Sequence, residues 1–89
     1  MAYGCQAVAG LVARAHELGA PEGGYFTVYW EAEDAYGYFE VKGDALIKDV
    51  RYSMDPSHCY YEEVEIPKDA VVTCVTKGYV GPVIYKAAS

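Results

Sequence analysis

The sequence lacks several features that would each indicate a class of protein. It contains no CxxC pair, and Cys5, Cys59 and Cys74 are odd in number and far apart. That spacing supports neither a disulfide framework nor a structural zinc site, so we expect three reduced thiols. No run approaches about 18 consecutive apolar residues, which argues against a membrane span. The N-terminal residues lack a basic segment followed by a long apolar run, so we expect no signal peptide and a cytoplasmic location.

Basic residues are also few. The 89 residues include 7 Lys and Arg against 13 Asp and Glu, and the net charge at pH 7 is -6. Because clustered Lys and Arg drive binding to phosphates, we do not expect a direct nucleic-acid binder. Disorder is not expected either, since 53% of the residues are hydrophobic and 10 are tyrosine. The length and composition predict a single domain over residues 1–89.

Residues 2–18 show the period of an amphipathic helix. A single apolar stripe recurs at helical spacing and consists of Cys5, Val8, Leu11, Val12, Ala15 and Leu18. Gly19 suits the left-handed residue that ends a helix, and Pro21 prevents continuation. The pattern therefore predicts a helix that ends just before Gly19.

After Gly24 the period changes to that of a strand. Residues 25–33 alternate between an apolar face, with Phe26 and Trp30, and a face of tyrosines and acids. A turn over residues 34–37 would lead into a second strand. The second strand is predicted over residues 38–42, and further strands are predicted over residues 45–53, 59–66, 70–77 and 83–86.

One helix followed by five or six short strands predicts an α+β fold. The helix would pack on one face of an antiparallel sheet with meander order. The covered face would bear Phe26, Val28, Trp30, Phe39, Val41 and Val64. This element order resembles that of cystatin-like folds, in which a sheet wraps one helix. The resemblance is one of topology and carries over no functional residue.

The opposite face of the sheet is the candidate binding surface. Residues 25–40 carry four acids and no base, a charge of -4 by count from the sequence. The strand phases place tyrosines among these acids, and tyrosine is enriched at protein interfaces. We predict a partner-binding face made of Tyr29, Glu31, Glu33, Tyr38, Glu40, Tyr61, Glu63 and Glu65. The alternative is that these tyrosines are good strand formers beside solubilising acids.

The sequence offers poor candidates for catalysis or metal binding. Ser57, His58 and Cys59 are adjacent, but neighbouring residues of a strand point to opposite faces, so His58 and Cys59 do not form a catalytic pair. Because His58 and Cys59 point to opposite faces, they are also poorly placed to bind the same zinc ion. His16 beside the helix stripe is expected to be a surface or half-buried histidine. We therefore assign no catalytic residue, no metal and no cofactor.

These observations lead to a hypothesis of a small, acidic, non-enzymatic protein-interaction domain. It would inhibit a partner by placing carboxylates in a basic channel meant for nucleic acid, in the cytoplasm of a bacterial host. In kind, though in no motif, the chain resembles small phage proteins that block bacterial defence nucleases, such as anti-CRISPR proteins. A homodimer through the tyrosine face or an edge strand is a version of this hypothesis.

Two alternatives come from other classes of protein. The first is a ligand-binding or enzymatic domain with a pocket between helix and sheet, in which Tyr60, His16 or His58 would supply polar groups. The second is a subunit of a structural oligomer.

Overall fold

A computed structural model of the chain describes residues 6–53 and 65–88. A helix precedes five strands in these ranges: α1 (Gln6–Glu17), β1 (Tyr25–Glu31), β2 (Ala35–Lys42), β3 (Ala45–Ser53), β4 (Val71–Lys77) and β5 (Val83–Lys86). The predicted α+β fold, with one helix on an antiparallel sheet, is confirmed. In the described part of the chain, no helix has the length and apolar character needed to cross a membrane.

The strands form one antiparallel sheet in the order β3-β2-β1-β4-β5. The strands β1, β2 and β3 follow each other as hairpins, and β4 returns to pair with the free side of β1. This order makes β1 the central strand, with a hydrogen-bonded neighbour on each side. The edges are β3 and the short strand β5.

The helix ends as the sequence predicts. Gly19 has a φ of 120°, its N–H donates to the His16 carbonyl, and the Ala20 N–H donates to the Ala15 carbonyl at 2.9 Å. These two bonds form the Schellman pattern that satisfies the last carbonyls of a helix. The imidazole of His16 also donates from Nδ1 to the Ala20 carbonyl at 2.9 Å and meets the Phe26 ring edge-on. His16 therefore has a structural role at the helix end.

The core lies between α1 and the inner face of the sheet, and α1 packs over β1 and β4. The buried members of the helix stripe are Val8, Leu11, Val12 and Ala15. The predicted inner-face residues within the described ranges are all buried: Phe26, Val28, Trp30, Phe39 and Val41. The pattern of apolar residues in the sequence thus located both sides of the core.

The first hairpin turn is shorter than predicted. We expected a turn over residues 34–37, but β2 already begins at Ala35. The Ala32 N–H donates to the Ala35 carbonyl at 2.8 Å, which closes the turn around residues 33–34. Gly37 therefore lies within β2, opposite Trp30. A Cβ at Gly37 would lie 2.8 Å from the Trp30 ring and against the Val50 carbonyl, so this glycine serves close packing within the sheet.

Part of the sequence prediction falls on residues that the structure does not describe. The predicted fourth strand, over residues 59–66, lies outside the described ranges except for Glu65 and Ile66, and these two residues are not in a strand. Val64, Tyr60, Ser57, His58 and Cys59 also lie outside them. The other predicted strands correspond to β1 through β5.

Two glycine-to-alanine substitutions should have opposite effects on stability. Gly37→Ala should lower the free energy of unfolding by about 2 kcal/mol or more, because the new methyl group meets the Val50 backbone. Gly10→Ala should raise it by about 0.5–1 kcal/mol, because a Cβ there meets no atom within 4 Å and alanine favours the helix. Urea unfolding measures both values. A stable Gly37→Ala variant would contradict the observed strand register.

Candidate functional site

The outer face of the sheet is the side turned away from α1. Alternation along β1 places Tyr25, Thr27 and Tyr29 on this face, and β2 contributes Tyr38 and Glu40. The register sets Tyr29 directly opposite Tyr38 and Thr27 opposite Glu40. The structure therefore brings together four of the eight predicted binding residues: Tyr29, Glu31, Tyr38 and Glu40.

Tyrosine pairs connect the first three strands on the outer face. The rings of Tyr29 and Tyr38 lie with centroids 5.6 Å apart at a tilt of 37°. Tyr36 of β2 stacks on Tyr52 of β3, with centroids 5.1 Å apart and planes 22° apart. Cross-strand aromatic pairs of this kind stabilise a sheet and fix its register.

Glu40 is engaged inside the protein. Its side chain is buried, with 5% exposure, and Oε1 accepts a hydrogen bond of 2.6 Å from the Tyr25 hydroxyl. Lys48 of β3 lies opposite Glu40 in the register. The Lys48 amine sits 5.8 Å from the centroid of the Tyr38 ring and 5.1 Å from that of the Tyr79 ring. The centre of the outer face therefore holds a buried carboxylate with a hydrogen-bond donor and a nearby cation.

The connection between β4 and β5 folds over one end of this face. The Gly78 carbonyl accepts hydrogen bonds from the Thr27 hydroxyl at 2.9 Å and from the Thr76 hydroxyl at 3.1 Å. The Gly78 N–H donates to the Tyr25 carbonyl at 2.9 Å. Gly78 has a φ of 71°, a conformation that favours glycine. These bonds bury Thr27 and bring Tyr79 toward Lys48.

Sequence reasoning missed Lys48, Tyr79 and Thr27 as parts of this site. Thr27 could have been found, since alternation already placed it on the same face as Tyr29. Lys48 could have been found only from the pairing of β3 with β2. Tyr79 follows a Gly in a loop, and no periodicity indicates where a loop side chain lies.

Three groups of the outer face have raised pKa values. The hydrogen bond to Glu40, followed by burial, raises the pKa of Tyr25. Burial is the main reason that the pKa of Tyr29 is raised. The electrostatic influence of Tyr38 and Tyr79, which become anionic at alkaline pH, raises the pKa of Lys48. In each case the fold favours the protonated form.

Acids gather at the end of the sheet where the β1–β2 turn lies. We name this the acidic end; it consists of Glu31, Glu33, Asp34 and Asp69, and all four are exposed. The Asp69 carboxylate accepts the Glu33 N–H at 3.0 Å, which holds the two segments together. Glu31 lies opposite Tyr36, whose ring is 43% exposed. An exposed tyrosine therefore stands beside the acidic end.

Of the four remaining predicted binding residues, the two that the structure describes, Glu33 and Glu65, do not join the outer face. Glu33 lies in the turn beyond β1, within the acidic end. Glu65 lines a groove against α1, on the other side of the sheet, because the chain enters β4 from the helix side. Tyr61 and Glu63 lie outside the described residues.

The histidine and the cysteine that the structure describes lie on opposite sides of the sheet. His16 packs on the inner side of the sheet, whereas Cys74 lies on the outer face opposite Tyr29, so the two do not meet. No group of three or more His, Cys, Asp or Glu side chains within residues 6–53 and 65–88 is arranged to hold a metal ion. The described outer face presents aromatic rings and charged side chains.

Comparison with known proteins gives no relative: no family model, no curated protein and no solved structure matches the chain.

The Gly78 carbonyl provides a test of the loop that covers the outer face. Thr27→Val and Thr76→Val should each lower the free energy of unfolding by about 1 kcal/mol, because each leaves the carbonyl with one donor. The double variant removes both donors and should lose more than the sum of the single losses. Urea unfolding of the unaltered chain, the two single variants and the double variant gives the double-mutant cycle. Strictly additive losses would show that the two hydroxyls do not share this acceptor.

Raised pKa values make stability depend on alkaline pH. The fold binds the protons of Tyr25, Tyr29 and Lys48 more tightly than the unfolded chain, whose reference pKa values are 10.0 for tyrosine and 10.5 for lysine. Their contribution is complete below about pH 10 and is lost as pH rises through the folded-state pKa values. Urea unfolding between about pH 8 and pH 11.5 should show this decline, and Tyr25→Phe should make it shallower. If the unfolding free energy of Tyr25→Phe fell as steeply with pH as that of the unaltered chain, the raised pKa of Tyr25 would be contradicted.

Proposed function

We propose that the chain is a small, non-enzymatic protein-interaction domain that inhibits a partner by binding its basic, nucleic-acid-binding surface. One observation carries this proposal: the acidic end, with four exposed carboxylates, borders the exposed ring of Tyr36. Carboxylates supply long-range attraction to Lys and Arg, and a tyrosine ring supplies a contact that excludes water.

The balance of charge along the outer face favours the acidic end over the face as a whole. Glu40 is buried and bonded to Tyr25, so it is engaged within the sheet. Lys42, Lys48 and Lys86 also lie on the outer face of their strands. A basic partner would therefore meet its strongest attraction around the β1–β2 turn, where the four exposed acids gather.

Rigidity supports the role of Tyr36 as an anchor. Its ring stacks on Tyr52, and the strand that carries it pairs on both sides. A side chain that is already held in position loses little conformational entropy when a partner binds. The short turn closed by Ala32 and Ala35 likewise fixes the acids Glu33 and Asp34 relative to β1.

An inhibitor of this kind would act by competing with nucleic acid. Its carboxylates would occupy the Lys and Arg channel of a nuclease or another nucleic-acid-binding protein, in the manner of a phage anti-CRISPR or other anti-defence protein. The place of action under this proposal is the cytoplasm of a bacterial cell.

The first experiment is capture of a partner at low salt from a bacterial lysate, with identification by mass spectrometry, followed by affinity measurements with the purified partner. The variant E31Q/E33Q/D34N should bind about tenfold more weakly than the unaltered chain and show a smaller dependence on salt. Tyr36→Ala should weaken binding by about tenfold or more, because it removes the central anchor.

The matched control is E17Q/E22Q/D44N, which removes the same charge from exposed acids outside the acidic end. It should change the affinity by less than about twofold at moderate salt. The proposal is wrong if the two triple variants weaken binding equally. It is also wrong if the affinity is the same at about 50 and 500 mM salt, because attraction between exposed charges must fall as they are screened.

A further inference from the structure

A second surface lies beside α1, on the side of the sheet opposite Tyr29 and Tyr38. A groove of about 960 Å³ runs between α1, residues 65–70 and the β4–β5 edge. Apolar side chains form most of its described wall: Leu11, Ile66, Pro67, Val72 and Tyr85. Its volume lies at the upper end of the range typical of small-molecule sites.

Gly10 is the least expected residue of this groove. Glycine inside a helix costs about 1 kcal/mol relative to alanine. A Cβ at Gly10 would meet nothing within 4 Å, so packing within the described chain does not require a glycine there. The missing side chain leaves the helix backbone open to the groove and widens it next to Leu11. The sequence thus accepts a weaker helix where the groove is open.

Three side chains with hydrogen-bond donors, Lys68, Tyr85 and Arg14, line the same groove. The Lys68 ammonium and the Tyr85 hydroxyl form no hydrogen bond or ion pair with any residue in the described ranges. Arg14, also in the lining, forms an exposed ion pair with Glu17 at 3.1 Å. Glu65 is the only acid among the described lining residues. Available hydrogen-bond donors and two cations beside an apolar wall suit a molecule with an anionic head and an apolar body.

We propose that this groove binds an apolar carboxylate of the fatty-acid type. The hydrocarbon part lies along Leu11, Ile66 and Val72 and over the open backbone at Gly10. The carboxylate accepts hydrogen bonds from Lys68 and Tyr85, with the positive charge of Arg14 nearby. The proposal does not rest on the proposed inhibitory function. None of the described lining residues belongs to the acidic end, but the groove adjoins it, since Lys68 precedes Asp69 and Val71 lies opposite Glu31.

The proposal is tested by titrating the protein with dodecanoate below its micellar concentration. Calorimetry and the amide chemical shifts in NMR measure the binding. We expect saturable binding with one site per chain and the largest shifts at Gly10, Lys68 and Tyr85. Dodecan-1-ol, which has the same chain without the charge, should bind about tenfold more weakly. Dodecyltrimethylammonium has the same chain with the opposite charge and should not displace dodecanoate. Displacement would indicate detergent-like binding without recognition of the carboxylate.

Two variants locate the site. Gly10→Leu should abolish binding by filling the groove, while thermal unfolding shows that the helix is at least as stable as before. Lys68→Gln should weaken the binding of dodecanoate by about tenfold and leave the affinity for dodecan-1-ol unchanged. Lys86→Gln is the matched control, because it removes the same charge from the outer face of β5 and should have no effect. Absence of dodecanoate binding, or equal binding by Gly10→Leu, overturns the proposal.

Discussion

The alternation of side chains along the central strand β1 is the constraint on which the rest of this structure depends. Because β1 has a neighbour on each side, its backbone is fixed, and its side chains must divide between two faces. Phe26, Val28 and Trp30 enter the core beneath α1, and this fixes the outward direction of Tyr25 and Tyr29. A shift of the register by one residue would exchange the core with the tyrosines, so the apolar face specifies the polar one.

The outer face shows how a sheet accommodates charge among aromatic rings. Glu40 would be costly to bury alone, and it accepts a hydrogen bond from the Tyr25 hydroxyl, while Lys48 lies opposite it in the neighbouring strand. The Gly78 carbonyl joins the β4–β5 connection to the same face through two threonine hydroxyls. As a result the carboxylate at the centre of the face is engaged within the sheet, whereas the exposed carboxylates gather at the end where the β1–β2 turn lies.

The two proposed surfaces offer different chemical groups. The acidic end combines four carboxylates with Tyr36, whereas the groove beside α1 offers cations and hydrogen-bond donors above an apolar wall. The chain has a net charge of -6, yet two of its cations, Arg14 and Lys68, line the groove. Total composition therefore describes neither surface, because attraction acts over distances of only about 10 Å in salt.

The sequence by itself determined the helix, its end at Gly19, most of the strands and the two faces of the first hairpin, because these depend on local period and on glycine and proline chemistry. It placed Tyr29, Tyr38 and Glu40 on one face for the same reason. Only the tertiary structure decided that Glu40 is buried, that Glu65 lies beside the helix, and that Lys48 and Tyr79 enter the tyrosine face. These facts depend on strand order and loop path, which bring together residues far apart in the chain, and no local pattern records such pairings.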